Sequence, residues 1–181
     1  MKARRLVRIA LFCAITAVMA QLKVDIGPVP ITFQVLAVML TGLFLRPGEA
    51  FLSQLVYVLM GLIGLPVYAG FRSGAGMLLG PTGGYLVAFP IAAFLIAYLQ
   101  PAKKGPVWKV FSALAGLLPI YLIGWLVLSS YVGEIGKAFQ IGVLPFIWID
   151  IIKAVVAGII MERIEKYVSG FTELTYEEAD R

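Results

Sequence analysis

LPFIWIDIIKAVVAG, residues 144–158, is an apolar run of membrane-span character that nonetheless contains an aspartate and a lysine, Asp150 and Lys153. A spacing of three places both on one helix face, and each costs about 2.5 to 3.5 kcal/mol to insert at the middle of a bilayer. Neither is expected to face lipid. Phe146 lies four residues before Asp150, and Ala154 and Ala157 continue the face, so one stripe presents an aromatic plate, a carboxylate, an ammonium and a close-packing floor. Two readings follow: a structural ion pair that neutralises itself between helices, or a ligand-binding dyad. If the helix enters the membrane at Leu144, Asp150 lies about 9 Å below the outer surface at 1.5 Å per residue.

The rest of the chain has the same character. Of its 181 residues 61% are hydrophobic and 14% charged, with a mean hydropathy of +0.95, whereas soluble domains carry roughly a quarter charged residues. One globular core cannot take in so many apolar side chains. Stretches near 6–22, 31–45, 50–66, 83–99, 110–131 and 143–161 approach the roughly 20 residues needed to cross a bilayer. They predict an all-α integral membrane protein, a single transmembrane domain over 1–181 with six spans. The first stretch has an alternative reading as a secretory signal peptide, because Lys2, Arg4, Arg5 and Arg8 precede it and Ala17 and Ala20 resemble a cleavage site.

Positive charge orients the spans. With the N-terminus cytoplasmic, the inner segments hold Lys2, Arg4, Arg5, Arg8, Arg46, Lys103, Lys104, Lys109, Arg163, Lys166 and Arg181; the outer ones hold Lys23, Arg72 and Lys137. That asymmetry predicts both termini in the cytoplasm. The scatter of these residues between apolar runs, rather than along one polar face, argues against nucleic acid as a partner despite the net charge of +5.

Several chemistries are excluded outright. Histidine is absent and Cys13 is the single cysteine, so no disulfide, zinc site or Ser/His/Asp triad can be assembled. GPTGGYL at 80–86 is glycine-rich but no GxxxxGK[ST] exists, which excludes a P-loop. A membrane-embedded enzyme such as a lipid transferase needs clustered carboxylates or histidines, yet Asp150 alone lies within a predicted span. A self-sufficient channel needs polar groups across the membrane depth, whereas the intramembrane charges here cluster on one face of one helix. No metal and no cofactor is expected.

The residues around the dyad point to an outward-facing pocket capped by loops. VYAGFRSGAGMLLGPTGG, 67–84, is long, glycine-rich and predicted to lie outside, either capping a pocket or running as an exposed linker. In KVDIGPVP, Pro28 and Pro30 delay the second helix to about Ile31 and leave a hollow above it. Thr32 is read as a cap of that helix, whereas Gln34 stands two residues further in as a pocket residue or a second cap. Tyr85 and Phe89 share a face of the fourth helix. Arg72 is the only arginine on the outer side, a partner for a ligand carboxylate or an exposed loop residue. Ala10 and Ala14 on the first helix form a small-xxx-small pattern that admits another membrane helix. The tail from Ser169, with Glu173, Glu177, Glu178 and Asp180, is predicted to fray.

At GPVPITFQ (27–34), GLIGLPVYAG (61–70), GPTGGYL (80–86) and LPFIWIDIIKA (144–154) the chain resembles BioY, the biotin-binding S component of energy-coupling factor transporters. Four motifs in order cover nearly the whole chain. The resemblance implies a plasma-membrane subunit that captures biotin from outside, embedded among membrane lipids. It implies partnership with a transmembrane coupling subunit (EcfT-like) and two ATPase subunits (EcfA-like), with Ala10 and Ala14 as the docking surface. It also implies that the S component topples to present its pocket to the cytoplasm, while some members work without the coupling module. On this reading Asp150 accepts ureido N–H bonds, and Lys153 donates to the ureido carbonyl or the valerate carboxylate. Gln34, Tyr85 and Arg72 complete the polar shell, and Phe146 or Phe89 covers the ring.

Overall fold

The computed structural model describes residues 2–25, 29–100 and 105–167. Pro28, the tail from Ser169, Lys103, Lys104 and Arg181, and the side chain of Lys166, lie outside the described residues. In chain order the elements are α1 (Lys2–Gln21), β1 (Lys23–Val24), β2 (Ile31–Thr32), α2 (Gln34–Phe44), α3 (Pro47–Leu62), α4 (Ala75–Leu78), α5 (Gly83–Leu99), α6 (Pro106–Ala115), α7 (Leu117–Val132), α8 (Ile135–Gly142) and α9 (Leu144–Tyr167).

The bundle is built around α2, QVLAVMLTGLF, whose residues from Leu36 to Leu43 are all buried. A helix that is apolar on every side is enclosed on every side, and α2 touches α1, α3, α5, α6 and α9. The chief contacts of the shell are α5 against α3 and α7, α6 against α9, and α1 against α3. Within α2 the Thr41 hydroxyl donates to the Ala37 carbonyl at 2.7 Å. Gln54 of α3 donates to both Thr41 and Thr16 of α1 at 2.9 Å, tying three helices together. α1 packs into this arrangement through Phe12, Cys13 and Thr16.

Several boundaries differ from those read in the sequence. The second helix starts at Gln34, not Ile31, because Ile31 and Thr32 pair antiparallel with Val24 and Lys23; β-branched residues suit that extended backbone. The third starts at Pro47, where proline is pre-set for a first helical turn, and stops at Leu62, ahead of Gly64 with its φ of +103°. The fifth is not continuous over 110–131: it runs from Pro106 and breaks at Gly116 into α6 and α7. Pro119 lacks an N–H and its ring opposes the carbonyl four residues back, that of Ala115, the last residue of α6. The short helices α4 and α8, like the two-residue ladder, were not anticipated. Two helical stretches are long and apolar enough to cross a bilayer, Pro106–Val132 and Ile135–Glu165; α2 and α5 are apolar but shorter.

The two ends of the bundle differ. At one end lie the start of α2, the end of α3, and the starts of α5 and α9. Here Gln21, the last residue of α1, donates to the carbonyls of Val67 and Tyr68 at 3.3 Å. At the other end Arg8 of α1 pairs with Glu49 of α3 at 3.1 Å, and Lys109 of α6 pairs with Glu162 of α9 at 2.7 Å and also with Glu165. Lys109 is 1% exposed, so it is a buried ion-pair partner rather than the loop charge its position suggested. The start of α1 and the far end of α9 share this end.

Close approach of α5 to α7 depends on Gly124. A Cβ there would lie 2.4 Å from the Tyr85 ring. Gly124→Val should displace that ring and destabilise the fold by about 1 to 3 kcal/mol through overpacking, seen as a lowered thermal midpoint in detergent.

Candidate functional site

Asp150 and Lys153 occupy the second and third turns of α9 and are 2% and 7% exposed. Their side chains meet directly: Lys153 Nζ donates to Asp150 Oδ1 at 2.7 Å. Two further groups from other elements complete the arrangement. Lys153 Nζ also donates to the Thr32 carbonyl at 2.8 Å, which is available because Thr32 stands just outside α2. The Tyr121 hydroxyl of α7 donates to Asp150 Oδ2 at 2.7 Å. The ammonium thus uses two of its three donors, and the carboxylate two of about four acceptor positions. Both residues line a cavity.

That cavity has a volume of about 340 Å³, at the lower end of the range for small-molecule sites. Its buried end carries Asp150, Lys153, Thr32, Gln34 and Tyr121. The walls are apolar, from Val35, Met77, Leu86, Phe89, Ile120 and Phe146. The exposed Arg72 and Asp25 mark the mouth, with the half-buried Lys23 paired to Asp25 at 2.7 Å.

Of the residues singled out in the sequence, Gln34, Arg72, Tyr85, Phe89, Phe146, Asp150 and Lys153 all line this one cavity. Their settings differ. Gln34 donates to the Tyr57 hydroxyl at 2.5 Å and accepts from Thr32 Oγ1 at 3.1 Å, and the Tyr57 hydroxyl in turn donates to the Val67 carbonyl at 3.1 Å. Thr32 Oγ1 accepts from the Gln34 backbone N–H at 3.2 Å, the capping role expected of it. The Tyr85 hydroxyl donates to the Gly142 carbonyl at 2.9 Å, so the donor expected for the polar shell is committed to α8 and Tyr85 offers the cavity its ring. Ala10 and Ala14 lie apart from the cavity, exposed on the outer face of α1 with Val7, Leu11 and Val18.

The segment 67–84 is a fastened cap and not a free linker. Tyr68, Ala69, Arg72, Met77 and Thr82 line the cavity. Tyr68 is fully buried and donates to the Val58 carbonyl at 2.6 Å; burial pushes its hydroxyl pKa up to about 12, so it remains a donor. The Phe71 N–H bonds Gln21 Oε1 at 2.8 Å and the Gly74 N–H bonds the Gly61 carbonyl at 2.7 Å. Tyr131 of α7 donates to the Leu79 carbonyl.

Sequence reasoning missed Tyr121, Tyr57, Met77 and the Lys23–Asp25 pair. Tyr121 stands in the apolar run LLPIYLIGW, where nothing distinguishes it from a core aromatic. A tyrosine hydroxyl that must find a partner when buried is the one signal available.

Against known proteins, the model of the BioY family matches residues 1–170. A probable biotin transporter BioY of Pyrococcus horikoshii is 53% identical over 165 residues, 91% of this chain and 98% of that protein. The biotin transporter BioY of Thermotoga maritima is 44% identical, over 90% of this chain and 96% of the other. A crystal structure of the S-component for biotin from an ECF-type ABC transporter superposes with a TM-score of 0.84 at 30% identity, covering 91% of this chain and 92% of that one.

Removing one member of a buried pair strands the other. Lys153→Met should therefore destabilise the fold by about 3 to 5 kcal/mol. The double variant Asp150→Leu, Lys153→Met should recover much of that loss, because no charge is left buried. Thermal unfolding in detergent gives the ranking; a double variant less stable than the single would show that the pair itself holds the helices together.

Proposed function

Since the chain belongs to the BioY family, we propose that it is the biotin-binding S component of an energy-coupling factor uptake transporter, a membrane transport subunit and not an enzyme. The observation that carries this reading is the Asp150–Lys153 pair, buried at the closed end of an apolar-walled cavity with acceptor and donor capacity unspent.

Biotin joins a ureido ring to an apolar thiophane and a carboxylate-ended chain. An ammonium beside a carboxylate offers a donor next to an acceptor, the complement of an N–H beside a C=O. Asp150 accepts the ureido N–H and Lys153 donates its third N–H to the ureido carbonyl. Its depth sets Lys153 against the ring and leaves the ligand carboxylate to Arg72 at the mouth. Gln34 retains one amide hydrogen for the ligand, while Phe89, Phe146 and the Tyr85 ring cover the thiophane.

The membrane arrangement belongs to the same proposal: a multi-pass plasma-membrane protein forming a single substrate-binding domain of six spans, with both termini cytoplasmic and the cavity open to the outside. Supporting this, the start of α1 and the far end of α9 share the end opposite the cavity, and the inner segments hold eleven of the fifteen basic residues (Lys2, Arg4, Arg5, Arg8, Arg46, Lys103, Lys104, Lys109, Arg163, Lys166, Arg181). The exposed Ala10 and Ala14 face of α1 receives an EcfT-like coupling subunit, and two EcfA-like ATPases supply energy.

Equilibrium binding to the purified protein, with desthiobiotin, thiamine and riboflavin alongside, tests the ligand. Saturable biotin binding is expected, and its absence in a folded sample overturns the reading. Asp150→Asn should weaken biotin by several-fold to several hundred-fold, since a charge-assisted hydrogen bond is lost. Ala14→Trp should block co-purification with a coupling subunit and leave biotin affinity intact; normal co-purification would discard that surface.

A further inference from the structure

Within the cavity, Asp150 has one neighbour whose contribution is separable from both fold and charge. Tyr121 stands on α7, in the second turn after the break at Gly116, and its hydroxyl donates to Asp150 Oδ2 at 2.7 Å. The other carboxylate oxygen, Oδ1, accepts from Lys153 at 2.7 Å. The two bonds come from different directions, one along α9 and one across from α7. Together they fix the rotation of the carboxylate plane, because each oxygen answers to a different donor. A carboxylate held by Lys153 alone is free to turn both oxygens toward the ammonium, with which it carries opposite charge. That turn would take its remaining lone pairs away from the cavity.

We propose that Tyr121 is a positioning residue for ligand recognition: its hydroxyl keeps Asp150 from collapsing onto Lys153 and so holds the carboxylate's free lone pairs toward the cavity. This rests on the biotin reading for the identity of the ligand, but the orientation of Asp150 is a property of the ligand-free protein. Tyr121 acts through Asp150, and its effect on binding exists only while the carboxylate is there to be held. Preorganisation of this kind raises affinity by removing the cost of ordering at the moment of binding.

The test uses Tyr121→Phe in the full chain, which keeps the ring and removes one oxygen. Biotin affinity should fall about tenfold to a hundredfold, the scale of a hydrogen bond to a charged group. In an Asp150→Ala background the same change should cost less than about twofold, because coupled residues are non-additive. Equal losses in the two backgrounds would overturn the proposal, since a packing role for Tyr121 does not need Asp150. A second measurement needs no ligand. The carboxylate stretching band assigned to Asp150 by infrared difference against Asp150→Asn, with isotope-labelled aspartate, should shift in Tyr121→Phe; an unmoved band overturns the proposal. If the native protein binds no biotin, the transporter reading fails, and the infrared band still decides the role of Tyr121.

Discussion

An aspartate and a lysine with almost no exposed surface remain charged only if the protein replaces the water they have lost, and the upper half of this bundle is arranged to do so. Removing an ion from water costs several kcal/mol even after relaxation. Mutual attraction along α9 answers part of that cost, and the rest falls to groups on other elements. The Thr32 carbonyl is available because α2 begins only at Gln34, behind the two-residue ladder. The Tyr121 hydroxyl arrives from α7, which begins at Leu117 after the one-residue interruption at Gly116. A late helix start and a proline-associated break, each unremarkable alone, thus meet at one pair of charges.

The same requirement separates the polar end of the cavity from its walls. Asp150, Lys153 and Tyr121 are bonded to one another, Lys153 also to the Thr32 carbonyl, and Gln34 to the Tyr57 and Thr32 hydroxyls, while the apolar side chains of Phe89, Phe146 and Leu86 line the same cavity. Convergent polar groups at the end of a mostly apolar recess are the general form of a small-molecule site. The cap is held differently. Its bonds run to Gln21, Tyr57, Val58, Gly61 and Tyr131, so it is fastened to α1, α3 and α7 by polar contacts and by the buried Tyr68. The buried end, by contrast, is fixed by helix packing on every side.

Much of this could be read from the sequence, and the reason is the cost just described. Asp150 and Lys153 announced themselves because charge inside an apolar run demands an explanation, and the helix that carries them begins at Leu144 as the run itself suggested. The Gly83–Leu99 helix was equally legible from its apolar length. The misreadings occur where tertiary contacts set local structure. Ile31 and Thr32 join a strand because Lys23 and Val24 lie opposite them, a pairing that no local periodicity reports. Tyr85 looked like a ligand donor until Gly142 of a later helix accepted its proton. Tyr121 left no trace because an aromatic in an apolar helix carries information only through what its hydroxyl meets.

The charges at the end opposite the cavity, which the proposed orientation counts as inner, are also paired within the bundle. Arg8 and Arg5 bond Glu49, and Lys109 is enclosed by α9 between Glu162 and Glu165. These are not idle charges in solvated loops. The orientation rule counts Lys and Arg near span ends and gives Asp and Glu little weight, so pairing in the finished bundle does not diminish the asymmetry. The acidic partners then spare the basic residues burial without a counter-charge: Lys109 lies deep enough that an unpaired ammonium there would cost more than its hydrogen bonds return. One set of residues is thus consistent with a fixed direction of insertion and closes the bundle at α1–α3 and α6–α9. The pocket end carries the buried Asp150–Lys153 pair, which the proposed function assigns to a ligand.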